Sequence, residues 1–255
     1  MTTTGPAVRF AGVTKHYGEA IALAEIDLEI APGSFVALVG SSGSGKSTLL
    51  KTANRLIEPS NGTVLIDGRD VAADEPHLLR RRIGYVFQNI GLFPHMTVAE
   101  NIAIGLRIDG RASNGRVGEL LELVDLPGDF AGRMPDELSG GQRQRVGVAR
   151  ALATEPGLML MDEPFGALDP VTRDQLGDAI RALHDRLGLT TIMVTHDMAE
   201  ALLIADRVLV MDHGRIAADA APADLITGQA GDAAEALVAV PRRQAERLRA
   251  LEGRQ

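Results

Sequence analysis

The sequence predicts an α/β fold with a parallel sheet, because short β-rich runs alternate with helix-like segments along most of the chain. The predicted strands are apolar runs bounded by turn residues, and they span residues 34–39, 63–67, 83–87, 158–161, 190–195 and 208–211. A run of four apolar residues is not distinguishable from a buried helix by itself. The prediction therefore depends on the flanking turns and on the repetition of the pattern.

The middle of the chain differs, because from about residue 97 to about residue 153 its apolar positions follow helical spacing. Three segments carry this pattern, with the sequences AENIAIGLRI, GELLELVDL and GGQRQRVGVARALA. We therefore expect an α-helical subdomain, at about residues 89–155, inserted into the α/β core.

Composition restricts the classes of function. The 255 residues carry 26 basic and 34 acidic side chains, which gives a net charge of −8. Affinity for a phosphate backbone needs a basic surface, so no nucleic-acid partner is expected. The absence of cysteine excludes disulfides and cysteine nucleophiles. The N-terminal residues lack a signal-peptide pattern, so no signal peptide is expected. The longest uncharged stretch, residues 83–99, is shorter than the roughly 20 apolar residues of a bilayer span, so no membrane-spanning helix is expected.

A glycine-rich loop between the predicted strand 34–39 and a helical segment predicts a phosphate site. It fits G-x-x-x-x-G-K-[ST], and its residues are Gly40, Ser41, Ser42, Gly43, Ser44, Gly45, Lys46 and Ser47. Glycines let the backbone N–H groups turn inward, and the following helix N-terminus adds a partial positive charge. Lys46 is expected to reach the β- and γ-phosphates of a nucleotide, and Ser47 to ligate Mg²⁺. The alternative is a glycine-rich turn with a surface lysine.

Two carboxylates follow the apolar run at 158–161. An acid at the end of a central parallel strand points into the crevice where nucleotides bind. We therefore expect Asp162 to hold Mg²⁺, directly or through water, and Glu163 to polarise an attacking water. A strand-end acid is also a common cap for the next helix, which is the structural alternative for this pair taken alone.

A second loop has the same physical character. Ser139, Gly140, Gly141 and Gln142 begin a helical segment, and they form another helix N-terminus suited to an anion. A plain helix cap would also explain a serine and one glycine. One nucleotide does not need two such sites, so two in one chain indicate that each serves a nucleotide shared with a second copy.

In their order along the chain these motifs resemble those of the ATP-binding subunits of ABC transporters, over about residues 8–228. The glycine-rich loop with Thr48 matches the Walker A motif, Asp162 and Glu163 match Walker B, and residues 138–142 match the signature motif. The further matches are Tyr17 at the position that stacks on adenine, Gln88 of the Q-loop, Ala167, Leu168 and Asp169 of the D-loop, and the switch histidine His196.

The resemblance implies a P-loop, RecA-like ATPase core with an N-terminal antiparallel β region, which hydrolyses ATP with Mg²⁺. In this family two copies form a head-to-tail homodimer, and each ATP lies between the Walker A loop of one copy and the signature loop of the other. The catalytic residues implied are Lys46, Gln88, Glu163 and His196, and the metal ligands are Ser47, Gln88 and Asp162. Asp169 is then expected at the dimer interface.

The same resemblance implies a peripheral protein on the cytoplasmic face of the plasma membrane. Its direct partners would be integral-membrane permease subunits, and a solute-binding protein would be an indirect one. The nucleotide-binding domain is expected at residues 1–229 and a short helical tail at 230–255. The tail is rich in Ala and Arg, which predicts a surface helix or, as the alternative, a contact with anionic lipid or with the transporter.

Three segments narrow the resemblance toward importers of quaternary amines such as glycine betaine, carnitine and choline. They are residues 54–62, 88–98 and 164–170, and they lie in the ATPase core rather than at a solute site. Importers of amino acids, polyamines or sulfonates share much of this sequence and are the alternatives. About 30 residues follow Leu225, too few for the regulatory domains that several osmoprotectant ATPases carry at the C-terminus.

Two other classes of P-loop protein explain less of the sequence. ABC-type ATPases of DNA repair carry long coiled-coil or zinc-bearing insertions, and residues 88–139 contain neither a heptad run nor a cysteine. A P-loop kinase for a small molecule would use Lys46 and Asp162 but would leave residues 138–142 and His196 without a function.

Overall fold

The computed structural model describes residues 4–166, 168–227, 238, 239 and 243. Its strands are β1 (Val8–Tyr17), β2 (Ala20–Ile30), β3 (Phe35–Val39), β4 (Asn61–Ile66), β5 (Arg69–Asp70), β6 (Ile83–Val86), β7 (Leu158–Asp162), β8 (Thr190–Val194), β9 (Arg207–Asp212) and β10 (Arg215–Ala220). Its α-helices are α1 (Lys46–Ala53), α2 (Pro76–Arg81), α3 (Val98–Ile108), α4 (Arg116–Leu123), α5 (Gly140–Leu152), α6 (Pro170–Leu187), α7 (Met198–Ile204) and α8 (Pro222–Thr227). Most of the predicted tail lies outside the described residues. None of the described helices combines the length and apolarity that crossing a bilayer requires.

The strands form two sheets. One has six strands in the order β10-β9-β3-β8-β7-β6, in which β10 is antiparallel to β9 and the other neighbours are parallel. The other is an antiparallel sheet of four strands in the order β2-β1-β4-β5. The predicted α/β class with an N-terminal antiparallel region is therefore confirmed. Because parallel strands run in one direction, β3, β7 and β8 end at the same edge of their sheet.

The six-stranded sheet is covered on both faces, as parallel sheets usually are. All five residues of β3 are buried. Phe35, Ala37 and Val39 belong to one apolar cluster, which includes side chains of α3 to α7. Val36 and Leu38 point to the opposite face and belong to a second cluster, with side chains of α1 and the antiparallel sheet. Successive residues of a strand alternate between faces, so this sheet separates two cores.

Two segments differ from the sequence pattern. The strand predicted at 63–67 forms β4, and it pairs with β1 and β5 in the antiparallel sheet. A two-residue turn at Asp67 and Gly68 folds β5 back onto β4. The helix predicted from TLLKTANRLI ends early, at Ala53. There Asn54 Oδ1 accepts a hydrogen bond from the Leu56 N–H at 3.1 Å, a local bond that replaces the next helical turn.

The chain between Gln88 and α3 is attached to the helix by a buried amide. Asn101 is fully buried in the first turns of α3, and its Oδ1 accepts from the Phe93 N–H at 2.8 Å. Its Nδ2 donates to the carbonyl oxygens of Phe93, Met96 and Thr97 at 3.0 to 3.2 Å. This one side chain supplies partners to four backbone groups, and it therefore fixes the path of the loop that follows Gln88.

Replacing Asn101 by alanine tests this attachment. The N–H of Phe93 and the carbonyl oxygen of Met96 would lose this partner, so we expect the free energy of unfolding to fall by about 2–3 kcal/mol. Asn89→Ala is the matched control, because Asn89 is exposed in the same loop, and its effect should stay below about 0.5 kcal/mol. Urea denaturation followed by circular dichroism measures both values. Equal losses in the two variants would contradict this role of Asn101.

Candidate functional site

The glycine-rich loop joins the end of β3 to the start of α1, and two of its glycines are required by close packing. A Cβ at Gly40 would lie 2.2 Å from the carbonyl oxygen of Met211, and one at Gly45 would lie 2.5 Å from the carbonyl oxygen of Ala22. Gly45 also precedes α1 with a φ of 102°. The loop therefore curls tightly against β9 and β2 and presents the N-terminus of α1 to the edge where β3 ends.

Lys46 is buried at the start of α1, with its ammonium inside the loop. Nζ donates to the carbonyl oxygens of Gly40 and Ser41, each at 2.8 Å. Burial lowers the pKa of Lys46, and the nearby carboxylates of Glu163 and Asp162 act in the opposite direction. The ammonium thus rests on two neutral acceptors, which phosphate oxygens would replace with a stronger, charge-assisted interaction.

Asp162, the last residue of β7, has a buried carboxylate that three side chains contact. Its Oδ1 accepts a hydrogen bond from Ser47 Oγ at 2.7 Å. Its Oδ2 lies 2.8 Å from Lys51 Nζ and accepts from the Tyr85 hydroxyl at 3.3 Å. The structure thus brings together Ser47 and Asp162, two of the three residues that the sequence analysis assigned to Mg²⁺, whereas the third, Gln88, contacts Glu163.

The sequence analysis did not identify Lys51 and Tyr85 as site residues. Lys51 follows Ser47 by four residues on α1, so the two share a helix face. Tyr85 on β6 pairs with Leu160, two residues before Asp162, which puts it on the same face of the sheet. Burial, followed by the charge of Asp162, raises the pKa of the Tyr85 hydroxyl, which therefore stays protonated and donates to Asp162. The four-residue spacing of Ser47 and Lys51 is visible in the sequence, whereas the position of Tyr85 beside Asp162 follows only once the strand order is known.

Glu163 contacts side chains from two neighbouring loops. Its Oε2 accepts a hydrogen bond from Gln88 Nε2 at 3.0 Å and lies 3.4 Å from His196 Nδ1. Gln88 follows β6, Glu163 follows β7 and His196 follows β8, so the order of neighbouring strands brings the three side chains together. His196 is 61% exposed, whereas Glu163 is 23% exposed, so the histidine faces outward over the carboxylate.

The backbone of Glu163 is held in an unusual conformation. Its φ is +47°, a left-handed value that non-glycine residues seldom adopt. Its N–H donates to the carbonyl oxygen of Val194 at 2.9 Å, which extends the pairing of β7 with β8 by one residue. This contact holds the carboxylate at the sheet edge, and such local strain is typical of functional sites.

All the remaining predicted residues of this site except Tyr17 lie on the glycine-rich loop or in the first turn of α1. Ser44 is buried, and its Oγ lies 3.4 Å from Lys46 Nζ, whereas Ser41, Ser42 and Gly43 are exposed. Thr48 is half-buried in α1. Tyr17 ends β1 with 52% of its surface exposed, and Lys15 Nζ lies 5.1 Å from the centre of its ring. The Tyr17 ring is therefore open to stacking by a planar ligand.

The second predicted anion site is a complete helix cap. Ser139 Oγ accepts from the Gln142 N–H at 3.2 Å, and Gln142 Oε1 accepts from the Ser139 N–H at 2.9 Å. Gly141 faces α6, because a Cβ there would lie 2.3 Å from Thr172 Cγ2. Within the described residues, no hydrogen bond joins residues 139–142 to the glycine-rich loop.

The predicted D-loop lies beside this cap. Asp169 is the N-cap of α6, and hydrogen bonds from Thr172 are the first cause of its lowered pKa. Ala167 of the same motif lies outside the described residues. The carboxylate of Asp169 is therefore charged, and it is exposed at the N-terminus of α6, the helix to which Thr172 belongs.

The donor set fits a magnesium–nucleotide complex. The described residues contain no cluster of three His, Asp or Glu side chains that would hold a metal by themselves. Mg²⁺ is commonly bound through one or two side-chain oxygens together with substrate phosphates. Ser47 and Asp162 supply such oxygens next to Lys46 and the N-terminus of α1. The site can thus hold a triphosphate at one end and a water beside Glu163 at the other.

Comparison with known proteins gives one family. Residues 23–166 match the family model described as ABC transporter. The chain is 47% identical over 230 residues to the glycine betaine/carnitine/choline transport ATP-binding protein OpuCA of Bacillus subtilis, covering 89% of this chain and 60% of that protein. It is 49% identical over 222 residues to the sulfate/thiosulfate import ATP-binding protein CysA of Mycobacterium tuberculosis, covering 86% of this chain and 62% of that protein. The chain thus spans about 60% of the length of these relatives.

Solved structures agree with this family. The ATP-binding cassette MJ0796, in a dimeric post-hydrolysis state with ADP and Pi, superposes with a TM-score of 0.76 at 35% identity, covering 84% of this chain and 98% of that one. CbiO1 of Clostridium perfringens, part of the ABC transporter complex cbiONQ, gives a TM-score of 0.81 at 28% identity, covering 88% of this chain and 92% of that one. On the fold, the site and these matches, the chain belongs to the ABC transporter family, as an ATP-binding cassette.

Proposed function

We propose that the chain is the ATP-hydrolysing subunit of an ABC importer. The observation that carries this proposal is the convergence of the phosphate loop, Asp162, Gln88, Glu163 and His196 at one edge of the parallel sheet. The phosphate-binding and water-activating groups lie side by side there, which is the arrangement that phosphoryl transfer to water requires.

The chain's own groups have separate roles in this reaction. The N–H groups of residues 40–47 and the Lys46 ammonium bind the phosphates, and Lys46 leaves the Gly40 and Ser41 carbonyls to do so. Ser47, Asp162 and Gln88 would hold Mg²⁺, which would supply positive charge to neutralise the phosphate oxygens. Glu163 accepts a proton from the water whose oxygen attacks the γ-phosphorus, and ADP leaves with the bridging oxygen. His196 and Gln88 hold the Glu163 carboxylate and the water in line.

A second copy of the chain completes the site. In one chain the Ser139 cap is not bonded to the phosphate loop among the described residues, although it has an N-terminal dipole and two glycines suited to phosphate. A head-to-tail homodimer would place that cap on the nucleotide held by Lys46 of the other copy. The MJ0796 cassette has been solved as a dimer, which supports this arrangement. Closure around ATP would exclude water and strengthen every charged contact.

A groove beside the Gln88 loop suits the membrane subunit. It has a volume of about 430 Å³, and the apolar side chains of its lining include Leu56, Phe87 and Ile108, each at least 42% exposed. Arg150 also lines the groove, and its guanidinium donates to the carbonyl oxygens of Ile90 and Gly91 at 2.6 and 2.7 Å. An apolar permease helix in this groove would therefore lie beside Arg150, which contacts the loop that follows Gln88. Such docking would place the protein on the cytoplasmic face of the membrane, with a solute-binding protein as an indirect partner.

The transported solute is proposed by similarity. OpuCA and the choline transport ATP-binding protein OpuBA of Bacillus subtilis, each 47% identical, support a quaternary amine such as glycine betaine, carnitine or choline. The CysA relatives at 49% identity make sulfate or thiosulfate the second candidate. The ATPase residues do not contact the solute, so the choice between these candidates depends on the partner proteins.

Glu163→Gln tests the proposed base. The amide keeps the size and the contact with Gln88 but cannot accept the proton of the water, so we expect ATP hydrolysis to fall by about 100-fold or more. ATP binding should persist, and ATP-dependent dimers should accumulate on size-exclusion chromatography. Glu122→Gln is the matched control, because Glu122 is an exposed residue of α4, and it should hydrolyse ATP at the wild-type rate. Wild-type turnover in the Glu163 variant would show that another group is the base.

Tyr17→Ala tests the proposed adenine contact. Loss of the ring should weaken ATP binding by about 1–3 kcal/mol, the range found for bases stacked on aromatic side chains. Tyr17→Phe is the control, because it keeps the ring and removes the hydroxyl, and its affinity should match the wild type. Titration with a fluorescent ATP analogue measures both. Unchanged affinity in the alanine variant would assign Tyr17 to packing alone.

The solute class is tested through the partners. The permease and the solute-binding protein that copurify with the subunit are identified, and the solute-binding protein is titrated calorimetrically with glycine betaine, choline, carnitine and sulfate. Binding of a quaternary amine is the expected result. Binding of sulfate instead would remove the quaternary-amine assignment and leave the ATPase proposal intact.

A further inference from the structure

Arg173 connects the predicted D-loop to the segment that carries His196. It lies on the first turn of α6, four residues after Asp169, and its side chain is 30% exposed. Its Nη2 donates to the carbonyl oxygen of Leu168 at 3.1 Å. Its Nη1 donates to Asp197 Oδ2 at 3.5 Å, and its Nε lies 3.4 Å from Glu200 Oε1. One planar guanidinium therefore contacts the predicted D-loop and the segment that carries His196.

The acidic partners of Arg173 hold the residues on both sides of His196. Glu200 Oε2 accepts a hydrogen bond from Thr195 Oγ1, which in turn accepts from the Asp197 N–H at 3.0 Å. Asp197 Oδ1 caps α7 by accepting from the Ala199 N–H at 2.8 Å. Thr195 and Asp197 flank His196, so the position of the imidazole over Glu163 depends on this set of bonds.

The guanidinium lies outside the nucleotide site. Together with Asp197 and Glu200, Arg173 lines a separate cavity of about 260 Å³, whose wall also includes Phe165 and Leu203. The groups that face this cavity are not those that contact the phosphate loop or Gln88. Any effect of Arg173 on hydrolysis must therefore pass through the loops that it connects.

Charge balance makes Arg173 difficult to replace. Glu200 is only 12% exposed, and burial raises the pKa of its carboxyl. Among the residues that the structure describes, Arg173 is the cation that forms an ion pair with Glu200. The planar fork of arginine donates two hydrogen bonds, to Leu168 and Asp197, and at the same time forms an ion pair with Glu200, which a lysine ammonium on a flexible stem does not match.

We propose that Arg173 is a positioning residue for ATP hydrolysis, which sets His196 relative to Glu163 and to the D-loop. This inference rests on the proposed role of His196. Small displacements of a catalytic group change rates strongly, since misplacement by about 1 Å costs on the order of 100-fold. Loss of Arg173 therefore acts on turnover, because the phosphate-binding groups on β3 and α1 keep their own contacts.

The test uses Arg173→Met in the full-length chain. We expect kcat for ATP hydrolysis to fall by about tenfold, while KM and the affinity for a fluorescent ATP analogue stay within about twofold of the wild type. Arg181→Met is the matched control, because Arg181 lies on the same helix with the same 30% exposure and pairs with Asp185 and Asp206, away from His196. The control should lose thermal stability to a similar extent and keep its kcat.

A double-mutant cycle with His196→Ala separates positioning from a general structural effect. If Arg173 acts through His196, adding Arg173→Met to His196→Ala should lower kcat by less than about twofold further. A full tenfold further loss, or equal kcat in the Arg173 and Arg181 variants, would overturn the inference while leaving the role of His196 intact. Wild-type kcat in His196→Ala alone would refute the proposed role of His196, and this inference with it.

A second variant provides the test if Arg173→Met does not fold. Glu200→Gln keeps the size of the side chain and its contact with Thr195 but removes the charge that holds Arg173. We expect kcat to fall by about threefold to fivefold with unchanged KM, and the fall should again disappear in the His196→Ala background. A fall that persists in that background would overturn the inference.

Discussion

The buried carboxylate of Asp162 is the interaction on which the rest of the site depends. A charge at the end of an apolar strand is stable only when it is paired, and here the partners come from two other elements. Ser47 and Lys51 come from α1, and Tyr85 comes from β6. This single charge therefore aligns the phosphate loop with the parallel sheet. It also sets the position of Glu163, the next residue along the chain.

Strand order explains why the remaining groups are close together. The loops after β6, β7 and β8 carry Gln88, Glu163 and His196, and these three strands are neighbours in the sheet. Between β6 and β7 the chain forms α3, α4 and α5, so a helical layer is inserted between two adjacent strands. Asn101 and Arg150 attach the Gln88 loop to that layer from α3 and α5. A partner that moves the helical layer would thus move Gln88 relative to Glu163.

Much of the site could be predicted from the sequence because its chemistry depends on residues close together in the chain. The loop at 40–47, the strand-end acids and the cap at 139–142 are local patterns with local physical causes. The family match followed from their order, and the fold comparison agrees with it. The sequence predicted the strand at 63–67 but not its neighbours, because the turn at Asp67 and Gly68 pairs it only with β5, whereas its pairing with β1 is a long-range contact.

The sequence by itself determined the α/β class, the phosphate loop, the two acids after β7 and the family. The tertiary structure decided which groups contact them. Lys51 and Tyr85 join Asp162, and Arg173 joins the segment that carries His196, through contacts between residues 24 to 111 positions apart in the sequence. Such contacts leave no local pattern, because they arise from strand order and helix packing, which long-range burial determines.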